Sequence, residues 1–268
     1  SGCGRQLRCI RQVSKHRSGG DALFIGRLHR ATILEKASVR MSDQFMRIVE
    51  ILLNSFWPLC KAALKYTIPL TIVSFGCGTV LAFITAIFRL SGVRILQGIA
   101  KFYIWIIRGT PLLVQLFVIF YGLPSLGIVL SPFVSGVLGL SLCQGAYNSE
   151  IVRAAILSVP SGQWEAAKAL GMTRAQTYMR IVIPQAARTA VPSLGNQFIG
   201  LTKDTSLAGM LTIPELLQTG QQITAVVYEP LALYLEVAFV YLLMNSALTV
   251  LQSKLEKRLS KHVQQRTN

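Results

Sequence analysis

Long apolar stretches separated by short polar segments dominate the pattern of the sequence. Runs of 18 or more apolar residues are long enough to cross a bilayer as helices, and none alternates as a membrane β-strand does. Because a chain in lipid must satisfy its own backbone hydrogen bonds, these stretches predict helices. We therefore predict an all-α membrane protein with about five transmembrane helices, over residues 62–88, 103–123, 133–157, 189–213 and 231–251.

A polar segment, residues 158–187, separates the third and fourth stretches. Ser161 and Thr173 are placed to cap two short helices, and Gly171 fits a left-handed turn between them. The second helix is expected to end at Pro184. This pattern favours a rigid two-helix unit on which another protein docks, and the alternative is a loop lying on lipid headgroups.

The distribution of basic residues predicts the orientation in the membrane. Lys and Arg follow the first, third and fifth stretches but are absent after the second and fourth. Cytoplasmic loops carry the excess of positive charge. We therefore expect the C-terminus and residues 158–187 in the cytoplasm, and the N-terminus outside.

Residues 1–40 differ from the rest of the chain. They contain nine Lys or Arg against two acidic residues, without a sustained apolar period, and Met41 then resembles a natural start. We expect residues 1–40 to be a basic extension that is non-native or disordered, and residues 41–268 to form the membrane domain. The alternative is a genuine basic cytoplasmic tail, which the predicted external N-terminus disfavours.

Composition supports a membrane protein and narrows its chemistry. The mean hydropathy is +0.50 and only 14% of residues are charged, whereas ordinary soluble domains carry about a quarter. The net charge is +16, but the basic residues flank the apolar stretches, so we expect no nucleic-acid partner. Histidines and cysteines have no metal-ligand spacing, no catalytic set is recognisable and no phosphate-binding loop is present. We therefore expect neither an enzyme nor a chain that binds ATP itself.

Several motifs together identify a family. Glu165-Ala166-Ala167, then Gly171 and Ile181-Val182-Ile183-Pro184, resemble the signature loop of inner-membrane permeases of binding-protein-dependent ABC importers. Further segments resemble motifs of the polar amino-acid branch, which includes histidine, glutamine and cystine permeases. These segments are Arg108-Gly109-Thr110-Pro111, Ala146-Tyr147 with Glu150 and Arg153, and Lys203-Asp204-Thr205-Ser206-Leu207. The matches run from about residue 60 to about residue 255.

The resemblance implies a type I ABC importer permease in the bacterial inner membrane. It implies a dimer with a second permease subunit, a cytoplasmic ATPase dimer that binds ATP and Mg²⁺, and an extracytoplasmic solute-binding protein. The substrate would be a polar amino acid, with cystine as the closest match, and the surroundings are membrane lipid. The residues carried over for coupling to the ATPase are Glu165, Ala166, Ala167, Gly171 and Pro184.

Polar residues within the third and fourth stretches are candidates for a substrate path or gate, because charges in a span are costly. They are Tyr147, Asn148, Glu150, Asn196, Lys203 and Asp204. Lys203 and Asp204 could meet the carboxylate and ammonium of an amino acid, or form a structural ion pair to another helix. Glu150 and Arg153 could simply neutralise each other.

Two other functions remain open from the sequence. An ion-coupled secondary transporter usually shows internal repeats, which this sequence lacks. A membrane scaffold without transport activity has no need of the aligned intramembrane charges. The permease of an ABC importer is therefore the preferred prediction.

Overall fold

The computed structural model describes residues 41–264, with side chains as far as residue 257, and this part of the chain is helical without any strand. The predicted all-α class is confirmed. The described residues before Asn54 and those from Asn54 onward belong to separate units, and the helices labelled below lie in the second. The predicted extension, residues 1–40, lies outside the described residues.

Nine α-helices are labelled here in chain order within the second unit. They are α1 Ile68–Leu90, α2 Arg94–Gly109, α3 Leu112–Phe117, α4 Pro132–Leu157, α5 Ser161–Ala169, α6 Arg174–Thr177, α7 Ile183–Asp204, α8 Leu216–Val227 and α9 Pro230–Gln264. Shorter π and 3-10 turns join several of them.

Apolarity alone identifies fewer spans than the pattern predicts. Among the described residues, Met41–Leu90 and Pro230–Lys257 are long and apolar enough to cross a membrane, and a bent pair, Arg94–Gly109 with Leu112–Leu126, makes a third. The helices α4 and α7 do not pass this test. In α4 the reason is that its buried face carries small and polar residues, such as Ser135 and Gln144, as interior membrane helices do.

The helices α1 and α4 form the centre of the fold. Small residues let them approach closely, since a Cβ atom on Gly78 would lie 2.7 Å from a side-chain carbon of α4. The hydroxyl of Ser141 donates to the carbonyl of Ser74, and further along both helices Arg89 pairs with Glu150. Both helices therefore run in the same direction, because the later residue of α1 contacts the later residue of α4. Parallel helices are expected for the first and third spans.

The predicted second span, residues 103–123, is wrong as a single helix. Its two halves are bent by 105°. The break lies at Thr110, which is extended (φ −121°, ψ 147°), because the ring of Pro111 disfavours helical backbone in the preceding residue. The side-chain amide of Gln115 closes the bend by donating to the carbonyls of Ile107 (2.7 Å) and Thr110 (3.1 Å).

The predicted helix end at Pro184 is also wrong. A π turn, Tyr178–Val182, joins α6 to α7, and the amide of Ile183 donates to the carbonyl of Tyr178. A π turn carries an extra residue, which moves the preceding carbonyls away from the proline ring that would otherwise clash with them. The same order, a five-residue π turn and then proline two residues later, occurs at Ala63–Thr67 with Pro69 and at Val118–Gly122 with Pro124.

The fourth span differs in its bounds from the prediction of residues 189–213. Because the π turn accommodates Pro184, the α7 helix begins at Ile183, and it continues through Pro192 to Asp204. A 3-10 helix, Thr205–Leu211, then replaces the predicted last turns. The fifth span lies within α9, as predicted, although the helix extends well beyond residue 251.

Candidate functional site

The turn between α5 and α6 has the geometry expected for Gly171. This residue has φ +71°, a left-handed conformation that costs other residues about 1–2 kcal/mol. Its amide donates to the carbonyl of Lys168 (3.0 Å), and the amide of Met172 donates to that of Ala167 (3.1 Å). These two bonds form a Schellman motif, so the predicted helix–glycine–helix unit is confirmed in its geometry.

Thr173 caps α6 as predicted. Its hydroxyl accepts from the amide of Gln176 (3.3 Å), and the side chain of Gln176 accepts from the amide of Thr173 (2.9 Å), which is a reciprocal capping box. The predicted cap at Ser161 is wrong, because Pro160 takes the N-cap position and Ser161 is the first helical residue.

The inner face of the two-helix loop is fixed to the rest of the molecule. Ala167 is completely buried. The rings of Trp164 and Tyr178 meet edge to face, with centroids 5.2 Å apart, and both pack on a cluster that includes Val182. Aromatic pairs of this geometry contribute about 0.5–1.5 kcal/mol beyond burial. The inner face of the loop is therefore packed firmly against the rest of the fold.

The outer face of the loop is open. Glu165, Ala166 and Pro184 are exposed, and Leu170 beside the glycine turn is 78% exposed. Glu165 forms no salt bridge among the described residues. The signature motif thus divides between two faces, with Ala167 holding the helix in place and Glu165 and Ala166 available for contact.

A second feature is a polar cleft of about 560 Å³ between α4 and α7, near the loop. Its lining consists of Arg108, Tyr147, Glu150, Ile151, Ala154, Ala155, Ser158, Thr189, Ser193 and Gln197. Two of the predicted path residues, Tyr147 and Glu150, therefore share one cleft. The contributions of Thr189, Ser193 and Gln197 were not predicted.

Positive charge surrounds the single acid of this cleft. Glu150 lies 2.8 Å from Arg153 and 3.4 Å from Arg89, so the predicted neutralising pair exists and is joined by a second arginine. The guanidinium of Arg108 lies over the ring of Tyr147, 5.1 Å from its centroid, which is a cation–π contact.

The other predicted path residues do not line this cleft. Asn148 is fully buried, and neither atom of its amide has a hydrogen-bond partner. Asn196 accepts from the side-chain amide of Gln252 on α9 (3.1 Å). Lys203 is exposed and Asp204 is half-buried, and neither forms a salt bridge within the described part of the chain. The predicted alternative of a structural ion pair is therefore not observed for these two charges.

A buried acid at the start of α8 was missed by the sequence reasoning. Glu215 is completely buried, accepts from the amides of Leu217 (2.9 Å) and Gln218 (2.7 Å), and accepts from the hydroxyl of Tyr241 (2.9 Å). An acid directly before an apolar helical run is a capping signal. The position of Glu215 in the sequence could therefore have predicted the helix cap, but not the hydrogen bond from Tyr241 on α9.

Comparison with known proteins agrees with this architecture. The model of the family described as "binding-protein-dependent transport system inner membrane component" matches residues 78–261. The L-cystine transport system permease of Bacillus subtilis (strain 168) is 48% identical over 215 residues, covering 80% of this chain and 92% of that protein. A probable amino-acid ABC transporter permease of the same organism is 38% identical, with 80% and 94% covered.

A solved structure, described as an amino acid ABC transporter with histidines, has the same fold. It is 34% identical, has a TM-score of 0.71, and covers 77% of this chain and 96% of its own. The chain therefore belongs to the family of inner-membrane components of binding-protein-dependent transport systems. Within it, the predicted resemblance to the amino-acid branch of ABC importer permeases is confirmed, and the chain is a membrane subunit without enzymatic activity.

Proposed function

We propose that this permease carries a polar amino acid, cystine first among the candidates, and is driven by ATP hydrolysis on partner subunits. The similarity to a cystine permease supports the substrate. The observation that carries the mechanism is the rigid two-helix loop, which is fixed by Ala167 and by the Trp164–Tyr178 contact but open at Glu165. Such a surface suits a protein contact that must transmit movement.

Each coupling residue has a physical role in this proposal. Glu165 and Ala166 face a cytoplasmic ATPase dimer, which holds ATP and Mg²⁺. Ala167 anchors the helix, and Gly171 sets the angle between the two helices. Pro184 and its π turn connect the loop to α7. ATP hydrolysis can drive transport only by shifting the permease between two conformations. The loop must therefore be connected stiffly to α7, so that movement of the ATPase reaches the membrane helices.

The complete transporter needs further partners. A second permease subunit, identical or related, completes a pore at the interface between the two. An extracytoplasmic solute-binding protein delivers the amino acid to the outer face. This arrangement has the N-terminus outside and the C-terminus and loop in the cytoplasm, as the distribution of basic residues favours.

Within the membrane domain, the polar cleft is proposed as a gate. Opening it would separate Tyr147 from Arg108 and rearrange the arginine partners of Glu150. Lys203 and Asp204, with Asn196 two turns earlier on α7, are proposed as substrate contacts. Asn148, buried and without a hydrogen-bond partner, is proposed to gain one when the gate opens.

Substitution of Gly171 by valine tests the coupling role. The left-handed backbone strains a β-branched side chain, so the turn should rearrange. In proteoliposomes with the complete transporter and internal ATP, we expect amino-acid uptake to be abolished. The ATPase subunits should still hydrolyse ATP.

The matched control is Gly162→Val, because Gly162 lies in α5, the helix before the Gly171 turn, and has open space around it and no left-handed backbone. Uptake should remain near wild type in this control. Normal uptake by the Gly171 variant would exclude the proposed coupling. Transport that fails on addition of an uncoupler but survives ATP depletion would indicate ion coupling instead.

A further inference from the structure

The helix α2 has an unusual distribution of basic residues. Arg94, Lys101 and Arg108 recur every seven residues, and at about 100° per residue they lie along one edge of the helix, roughly 21 Å from end to end. All three are exposed. An adjoining face is apolar and equally exposed, and it carries Ile95, Ile99, Phe102, Trp105 and Ile106.

The positive charge on this edge is not balanced nearby. No acidic residue occurs between residues 91 and 149. The salt bridges in the described part of the chain join Glu150 to Arg89 and Arg153 only. Arg94 and Lys101 therefore have no ionic partner among the residues that the structure describes.

The bend after α2 determines how this edge meets the membrane. The segment Leu112–Leu126 leaves at 105° and packs tightly on α4, where a Cβ atom on Gly139 would lie 2.6 Å from the Leu116 side chain. Two segments at 105° to each other cannot both run along the membrane normal, so if Leu112–Leu126 follows α4 as a span, α2 lies nearer to the membrane plane. A helix in that position with separate apolar and basic faces has the properties of an interfacial helix.

We propose that α2 binds the headgroups of anionic phospholipids along its Arg94–Lys101 edge, with the Trp105 face in the acyl region. Charge complementarity favours an anionic lipid over a zwitterionic one, by about fivefold for each basic residue near the surface. Arg108, at the end of the same edge, also lines the polar cleft over Tyr147. The proposal depends on the membrane location of the family. It does not depend on which substrate is carried or on how the loop contacts the ATPase.

Trp105 provides a probe within the proposed site, because its side chain is exposed on the apolar face. The full chain is placed in nanodiscs of phosphatidylcholine with a minority of phosphatidylglycerol, and bromine is carried on the acyl chains of one lipid or the other. Quenching of Trp105 is obtained as the difference between the wild type and Trp105→Phe. We expect phosphatidylglycerol to quench several-fold more than its mole fraction requires.

The double variant Arg94→Gln/Lys101→Gln should reduce this enrichment to the mole fraction. The control Lys61→Gln/Lys65→Gln removes the same charge from exposed residues elsewhere and should keep the enrichment. Equal quenching by brominated phosphatidylcholine in nanodiscs that contain no phosphatidylglycerol verifies the fold of all variants. If the double variant does not fold, salt should remove the enrichment in the wild type, because exposed charges are screened.

Two results would overturn the proposal. One is quenching by phosphatidylglycerol at its mole fraction in the wild type. The other is enrichment that persists in the double variant, or at high salt in the wild type.

Discussion

Lys203 and Asp204 are two adjacent charges at the end of α7, where the helix gives way to a 3-10 turn. Neither has a salt-bridge partner among the described residues. Charged side chains within a membrane domain are expensive and mark functional sites by default. The absence of a salt bridge to either charge is the reason to assign them to an amino-acid substrate, whose ammonium and carboxylate carry the complementary charges.

Removal of either charge should impair transport. Lys203→Gln and Asp204→Asn keep side-chain size, and each loses a charge-assisted hydrogen bond worth about 1.5–3 kcal/mol. We expect uptake of the transported amino acid to fall at least about tenfold in a radiolabelled panel that includes cystine. Lys254→Gln, an exposed position on α9, is the control. Unchanged uptake in both variants would remove these residues from the substrate path.

At this scale, the sequence predicts best what depends on near neighbours. Gly171 and Thr173 were predicted because a glycine turn and a capping box involve residues within four or five positions. The burial of Glu215 was not predicted, because it depends on Tyr241 from another helix. The polar cleft likewise needs side chains from α2, α4 and α7, and apolar periodicity does not report which helices meet.

At the scale of elements, Pro184 does not end the helical path, because a π turn precedes it. The sequence predicted a stop at Pro184, yet α6, the π turn and α7 follow one another without a gap. Proline alone is read as a break, because it lacks an amide and clashes with the preceding turn. At Pro184 the widened turn, which periodicity does not reveal, relieves that clash. The bend at Pro111 shows the opposite outcome, with no π turn before it.

Replacement of Pro184 by alanine should impair coupling to the ATPase without lowering the stability of the protein. Without the proline ring, the π turn is free to become α-helical. The loss of the extra residue in the turn would rotate the loop by about 100° relative to α7. We expect uptake to fall sharply while the melting temperature is unchanged or rises. Pro192→Ala is the control, because Pro192 lies in the same helix with no π turn before it. Wild-type uptake by the Pro184 variant would contradict the role of the turn.

At the scale of the whole molecule, the parallel packing of α1 and α4 agrees with an alternating path across the membrane. Parallel α1 and α4 are what is expected if the first and third predicted spans cross in the same direction, with the bent second segment returning the chain between them. Five crossings, as the sequence predicts, would place the two ends of the membrane domain on opposite sides. The sequence predicted this order, although it did not predict that the second crossing would be bent.

Reporter fusions test the predicted orientation. Green fluorescent protein at the C-terminus should fluoresce, because it folds in the cytoplasm, and alkaline phosphatase fused there should be inactive. Alkaline phosphatase fused after Gly127, between the second and third spans, should be active because it lies outside. A fusion after Gly171 serves as the second cytoplasmic control. Active phosphatase at the C-terminus would invert the topology.

The elements α6, the π turn and α7 follow one another without a gap, so a movement of the loop can be transmitted along one continuous helical path. From Arg174 to Asp204 the helical path measures about 45 Å at 1.5 Å per residue. A tilt of about 5° pivoting at the loop would displace the far end by roughly 4 Å over that length. Thr189, near the middle, would move about half as far. A small rotation on one side of the membrane would thus be amplified with distance along the helix, so that Lys203 and Asp204 travel furthest.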